Sequence, residues 1–194
     1  MGDEKLKEFN LIGGTALALK IGHRSSIDID LFTSQSFNAI TIANYLSERF
    51  NAQRIITLKN AVFCFIADVK IDLIAHQYPL IKPVENIEGI RMLSLEDIGA
   101  MKLHAIVNNG TRLKDFVDFY FLLERLPLEE MLRHYEKKYP ETNTVMAKTA
   151  LMYHNDIDFT VPIALIHGKI EWRVIKGRIE KALKNPNRVF ATKK

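Results

Sequence analysis

The chain has 194 residues, 47% of them apolar and 26% charged, with a formal net charge of +4. That is the profile of an ordinary globular protein with enough length for a proper core, not of a disordered chain. The longest apolar run, AVFCFIA at 61–67, is too short to span a bilayer, and MGDEKLKEF lacks the apolar segment of a secretory signal. One cysteine, Cys64, excludes an internal disulfide and sits in that run as core filler, so a cytoplasmic location and no membrane partner are the expectations.

The first segment, NLIGGTALALKIG, starts apolar, turns at Gly13-Gly14 and continues as a short helix until Gly22-His23-Arg24-Ser25-Ser26 breaks it. IDIDLF follows as a strand. Side chains alternate across a strand, so Asp28 and Asp30 share one face, with Ile27, Ile29 and Leu31 on the opposite, buried one. Two carboxylates roughly 7 Å apart repel by about 2.4 kcal/mol at an effective dielectric of about 20. A cation held between them removes that repulsion; two solvated aspartates on an exposed edge strand are the alternative. SQSFNAITIANYLSERF reads as an amphipathic helix capped by Ser34 or Ser36. QRIITL, AVFCFIA and VKIDLIAH are three β-rich runs with tight connections, a meander, and IRMLS is one more short strand.

From Leu95 the pattern turns helical: LEDIGAMKLHAIV, a break at NNG, TRLKDFVDFYFLLERL with Thr111 as cap, then LEEMLRHYEKKY, NTVMAKTALMYH and IEWRVIKGRIEKALK. The expected architecture is an α/β (α+β) half over 1–94 and a helical half over 95–194, packed as one continuous body. Residues 169–194 carry nine Lys/Arg against Glu171 and Glu180, which makes that segment +7 and leaves −3 for the rest. A cationic end suits a polyanion such as RNA; a solvated helix face with a frayed tail is the alternative.

Three features accompany the paired aspartates. Gly13-Gly14-Thr15 lies at a strand-to-helix turn, where backbone amides and a hydroxyl approach a phosphate closely. Asp72 in KIDLIA projects opposite Ile71 and Leu73, so a third carboxylate on a neighbouring strand completes a two-metal site or stands as an edge-strand charge. Asp115 and Asp118 share a helix face, while Lys102 suits a triphosphate as a point charge; Lys114 and Asp118 otherwise read as a surface i,i+4 ion pair. A second DxD, Asp156 and Asp158 in YHNDIDFT, has no glycine turn or basic partner and reads as loop and capping chemistry.

LIGGTALALKIGHRSSIDIDLF, followed by SLEDIGAMKLHAIVNNGTRLKDFVDFYFLLE, resembles the AbiEii/AbiGii toxin family of nucleotidyltransferases, part of the DNA polymerase beta-like superfamily. The resemblance runs from about Asn10 to about Arg125 and more weakly through the last tryptophan-containing helix. It implies a minimal nucleotidyltransferase mixed sheet followed by a C-terminal helical bundle. It also implies that Gly13, Gly14 and Thr15 bind nucleotide phosphates, that Asp28 and Asp30 ligate Mg²⁺ or Mn²⁺, and that Lys102 contacts the triphosphate. Asp115 or Asp118 would support the site, Arg24 would be a phosphate or supporting contact, His23 a structural hydrogen-bonder, and Asp72 falls where the superfamily often has its third carboxylate. The implied activity moves a nucleoside monophosphate from an NTP to an acceptor hydroxyl, with RNA or the tRNA 3′ end as acceptor and an antitoxin protein as partner. Transfer to a protein or small molecule, or a non-catalytic binding module, are the alternatives. A haloacid-dehalogenase-like phosphatase is disfavoured by Phe32 after the DxD and by Ser25-Ser26 before it. One departure is that the family usually carries a helical segment before the GG block, whereas Gly13 here follows the start almost at once; a shortened variant and a chain lacking part of its natural N-terminus are the two expectations.

Overall fold

A computed structural model describes residues 1–191. After a 3-10 turn at Glu4–Leu6, strand β1 (Asn10–Ile12) runs directly into helix α1 (Gly13–Ile21). Gly22 closes α1 in the left-handed conformation, its N–H donating to the Ala18 carbonyl. Strand β2 (Ile29–Thr33) follows, then helix α2 (Ala39–Phe50). The cap of α2 is Asn38, whose side chain accepts from Thr41 N, rather than Ser34 or Ser36, so the helix starts later than its composition suggests.

Strands β3 (Gln53–Leu58), β4 (Ala61–Ile66) and β5 (Val69–Ala75) form the expected antiparallel meander. Its second turn places Ala67 and Asp68 both at positive φ, the geometry that matches the twist of a two-residue hairpin. A short hairpin, β6 (Glu85–Ile87) and β7 (Ile90–Met92), completes the sheet. β6 is absent from the sequence reading because its three residues are all exposed and carry no alternation. The sheet order is β3-β4-β5-β2-β1-β7-β6. β1 pairs antiparallel with β2, while β2 runs parallel to β5 and β1 parallel to β7.

Helices α3 (Leu95–Asn108), α4 (Leu113–Leu122), α5 (Leu128–Lys138), α6 (Thr144–Met152) and α7 (Trp172–Lys184) make up the second half. Ser94 caps α3 by accepting from Asp97 N. α4 begins after Arg112 without a side-chain cap, so Thr111 does not fill the role its type suggested. The largest buried cluster joins Leu11, Ile12 and Leu17 to Phe116, Phe119, Met131, Tyr135 and Ile179, so the helices pack onto the sheet and α1. A second cluster, including Leu46, Val62, Cys64, Ile71 and Leu73, fills the opposite face of the sheet under α2, and Cys64 is buried there as a free thiol. With Ile71 and Leu73 on the α2 side, the alternate residue Asp72 faces the helical half. Among the described residues no helix is long and apolar enough to cross a membrane.

Candidate active site between sheet and helices

The parallel pairing of β2 and β5 sets Asp30 directly beside Asp72. Burial raises the Asp30 carboxyl above its ordinary value, and the negative charge of Asp72 raises it further. Lys70, two residues from Asp72 on the same strand face, forms an ion pair with it. The other Asp72 oxygen, Oδ1, is buried and has no hydrogen-bond partner. Asp28 precedes β2 rather than lying in it, and Lys114 Nζ stands 3.9 Å from its carboxylate. This corrects the expectation of a buried Ile27: that side chain is 72% exposed, because the strand starts two residues later.

The two glycines are required by close approach. Gly13 has φ +72°, and a Cβ there would lie 2.4 Å from Asp30 Oδ2. A Cβ on Gly14 would lie 2.2 Å from an Arg24 guanidinium nitrogen. Any side chain would therefore push the carboxylate or the arginine out of place. The start of α1 has no side-chain cap, which leaves its first amides as donors beside Asp30. Thr15 does not line the cavity. Its hydroxyl donates to the Asp28 carbonyl and is 2.9 Å from the Ser26 hydroxyl, so it anchors the loop that carries Asp28.

Behind this floor lies a balanced charge network. Asp118, fully buried, accepts from Arg24 Nε at 2.6 Å and from Nη2 at 3.0 Å, contacts His23 Nε2 at 2.8 Å, and pairs with Lys102 Nζ at 2.6 Å. Lys102 also donates to Asp115 at 2.7 Å, and Arg112 lies 3.4 Å from the same carboxylate. Burial alone would raise Asp118, but Lys102, His23 and Arg24 outweigh it and hold the carboxyl far below the usual range. Burial likewise pulls Lys102 down, and Asp118 and Asp115 overcompensate, so the ammonium stays charged. The surface pair of Lys114 with Asp118 does not form: Asp118 points inward to Arg24, and Lys114 faces Asp28 instead.

These groups border a cavity of about 430 Å³ lined by Gly13, Gly14, Asp28, Asp30, Asp72 and Lys102, and also by Arg24 and Asp115. Of the residues expected at the site, Thr15 and Asp118 stand outside the lining and act on it through Asp28, Arg24 and Lys102. Sequence reasoning missed Lys70, Arg112 and Ser26, which also line it. Lys70 shares strand parity with Asp72, a signal that was present. Arg112 and Ser26 lie outside helix and strand, so no periodicity placed them at the site, although both fall within the stretches that carry the family resemblance. Asp158 serves its own loop, its Oδ1 accepting from Thr160 N at 2.8 Å and from Thr160 Oγ1 at 2.6 Å, as its sequence context indicated.

The donor set fits a divalent metal with a preference for oxygen. Asp28, Asp30 and Asp72 offer hard carboxylate oxygens, and one buried Asp72 oxygen has no partner. Among the described residues no three His, Cys, Asp or Glu side chains already stand together as a metal cage, and Lys70 holds the second Asp72 oxygen.

Comparison with known proteins agrees with this architecture. The family described as nucleotidyl transferase AbiEii toxin, type IV toxin–antitoxin system, matches residues 3–82 and 67–187. An uncharacterized protein of Aquifex aeolicus, aq_aa25, is 30% identical over 155 residues, which is 77% of this chain and 75% of that protein. The crystal structure of a nucleotidyltransferase, so described provisionally, from H. pylori superposes with a TM-score of 0.55 at 18% identity, over 93% of this chain and 86% of that one. A second Helicobacter pylori structure, JHP933, gives a TM-score of 0.49 at 18% identity, over 92% and 84%. With the matched segments reaching from residue 3 to residue 187, the chain belongs to the AbiEii nucleotidyltransferase toxin family and has the DNA polymerase beta-like nucleotidyltransferase fold.

Proposed function

We propose that this protein transfers a nucleoside monophosphate from an NTP to a hydroxyl of RNA, with tRNA as the leading acceptor, and that it does so as the toxin partner of an antitoxin protein. The observation that carries the reading is the juxtaposition of Asp30 and Asp72 on paired strands, under a glycine turn that admits no side chain. Asp28, Asp30 and Asp72 would hold Mg²⁺ or Mn²⁺. A metal held there would supply charge neutralisation for the attacking and leaving oxygens of an in-line displacement.

The chain's own residues do the positioning. The first amides of α1, at Gly13 and Gly14, meet phosphate oxygens, and Lys114 and Arg112 bring cations to the same mouth. Lys102 presents its charge from the cavity wall, held in place by Asp115 and Asp118. Asp118 fixes Arg24 and Lys102 together, which ties α3 and α4 to the loop before β2. The acceptor oxygen bonds to the α-phosphorus, the bond from that phosphorus to the β-phosphate oxygen breaks, and pyrophosphate leaves. The acceptor's proton passes to Asp72 or to water.

On this reading residues 1–94 are the catalytic half and 95–194 the half that closes over it. The basic end would contact RNA backbone, making binding salt-sensitive. Arg178 is not part of that surface: it donates to Glu124 at 2.6 Å and stacks 3.6 Å over Tyr120. Lys193 and Lys194, also counted in that end, lie outside the described residues.

The test incubates the protein with Mg²⁺, each α-phosphate-labelled NTP and total RNA or lysate. Label in RNA that disappears in Asp28→Ala and Asp30→Ala supports the reading. Label in protein or a small molecule replaces the acceptor, and no label in any fraction points to a binding module.

A further inference from the structure

The same cavity has two chemically different ends. Along β2 the face that carries Asp30 continues, by strand parity, to Phe32, and the ring of His76, the first residue after β5, packs against it. His76 is four residues on from Asp72, at most ~13 Å of extended chain at ~3.3 Å per residue. Around it the carboxylates and cations give way to rings. His76 is 4.8 Å from Tyr78 and 4.9 Å from Phe32, Tyr78 is 4.8 Å from Tyr139, and His104 stacks on Tyr139 at 4.0 Å with a 10° tilt. All five residues line the cavity, and Tyr78 is 42% exposed.

We propose that this ring-lined end is the nucleobase subsite, taking the base of the NTP whose phosphates lie at the glycine turn, with His104 Nδ1 meeting the base edge. The proposal rests on the nucleotidyl-transfer reading and adds to it where the base sits and what discriminates among bases. Its grounds are continuity, chemistry and an unmet bond. The rings and the carboxylates border one cavity, so a ligand anchored at the first amides of α1 reaches the rings through its sugar. The lysine next to the rings is also engaged elsewhere and does not compete with a neutral aromatic ligand. Lys138, adjacent to Tyr139, is held by Asp97 at 2.7 Å and by the Pro79 carbonyl at 3.0 Å. Burial, with Lys138 and His104 adding to it, lowers His76 to about 4, so this imidazole is neutral at physiological pH and poorly suited to a phosphate. Burial pushes the Tyr139 phenol up, and its hydroxyl is 3.2 Å from His76 Nε2. His104 Nδ1, by contrast, is buried without a partner. Rings of this kind stack on any base, whereas a nitrogen that bonds the base edge distinguishes one base from another.

The experiment measures equilibrium binding of each of the four NTPs, and separately of inorganic tripolyphosphate, to the full chain with Mg²⁺. Tyr78→Ala and His104→Ala are expected to weaken NTP binding roughly 10-fold or more while leaving tripolyphosphate unchanged. Tyr78→Phe is expected to restore affinity, and His104→Phe to keep affinity while levelling the four NTPs. Unchanged NTP binding in both alanine variants, or an equal loss for tripolyphosphate, overturns the base subsite while the transfer reading stands. Variants that keep NTP affinity but lose affinity for a short RNA oligonucleotide assign the chamber to the acceptor and also overturn it. A wild-type protein that binds neither NTP nor tripolyphosphate overturns both.

Discussion

Asp30 and Asp118 are the same chemical group, and their surroundings are opposite. Asp118 is met by Arg24, His23 and Lys102, and its carboxyl is driven down. Asp30 is partly buried beside another carboxylate, and its carboxyl is driven up. Asp97 repeats the first pattern: fully buried, it accepts from Lys138, Ser94 and the Ile81 amide. Burial alone would raise it, yet these partners hold it below its ordinary value. Balanced buried carboxylates lock helices to loops. A carboxylate without that balance is destabilising until a cation arrives, and Asp30 is the one on which the proposed chemistry rests.

The comparison breaks most visibly at Asp118. Asp118→Ala leaves Arg24 and Lys102 buried without their shared partner and is expected to destabilise the fold by about 3–5 kcal/mol in denaturant unfolding. The pH dependence has a definite sign. Because the folded Asp118 and Asp97 carboxyls lie below their unfolded value of about 3.9, the stability they contribute is fully present above that value. It is lost as pH falls below it, through the folded values. Thermal unfolding followed from pH 7 to pH 3 is therefore expected to show a steep acid loss, shallower in Asp118→Ala.

A smaller effect sharpens the contrast at the turn. Gly13→Ala places a Cβ at positive φ against Asp30 and is expected to cost about 1–2 kcal/mol of stability. Its loss of NTP transfer should exceed what that instability explains, which a specific-activity assay on the folded fraction reads. Smaller still is the response to metal. Mg²⁺ at about fivefold its Kd should stabilise the wild type by about 1 kcal/mol, and Asp72→Asn should lose that gain in a thermal shift.

Much of this architecture was legible in the sequence, because alternation and helical spacing report which face is buried. Ile71 and Leu73 against Asp72 identified the strand face correctly. Ile27 did not, since alternation assumes a strand and β2 begins at Ile29. The capping residues were misread at Ser34 or Ser36 and at Thr111 because residue type alone does not fix where a helix starts. At the site, the GG, DxD and Lys/Asp motifs pointed to residues that border one cavity, Thr15 and Asp118 excepted, but the contacts that link them were invisible. That Asp118 bonds Arg24 across 94 positions of chain, while Lys114 turns to Asp28, follows from α4 packing beside the loop before β2, which no local pattern encodes. The ring chamber was hidden for the same reason: Tyr139 stacks on His104 only once α5 lies along α3.

The central claim is that Asp30 serves chemistry and not folding. Its most direct test measures unfolding free energy and NTP-to-RNA transfer on one preparation of Asp30→Asn. The account predicts stability equal to or above wild type, because a repulsion is removed, together with loss of transfer. A variant that unfolds more easily than wild type, or that still transfers the label, would contradict it.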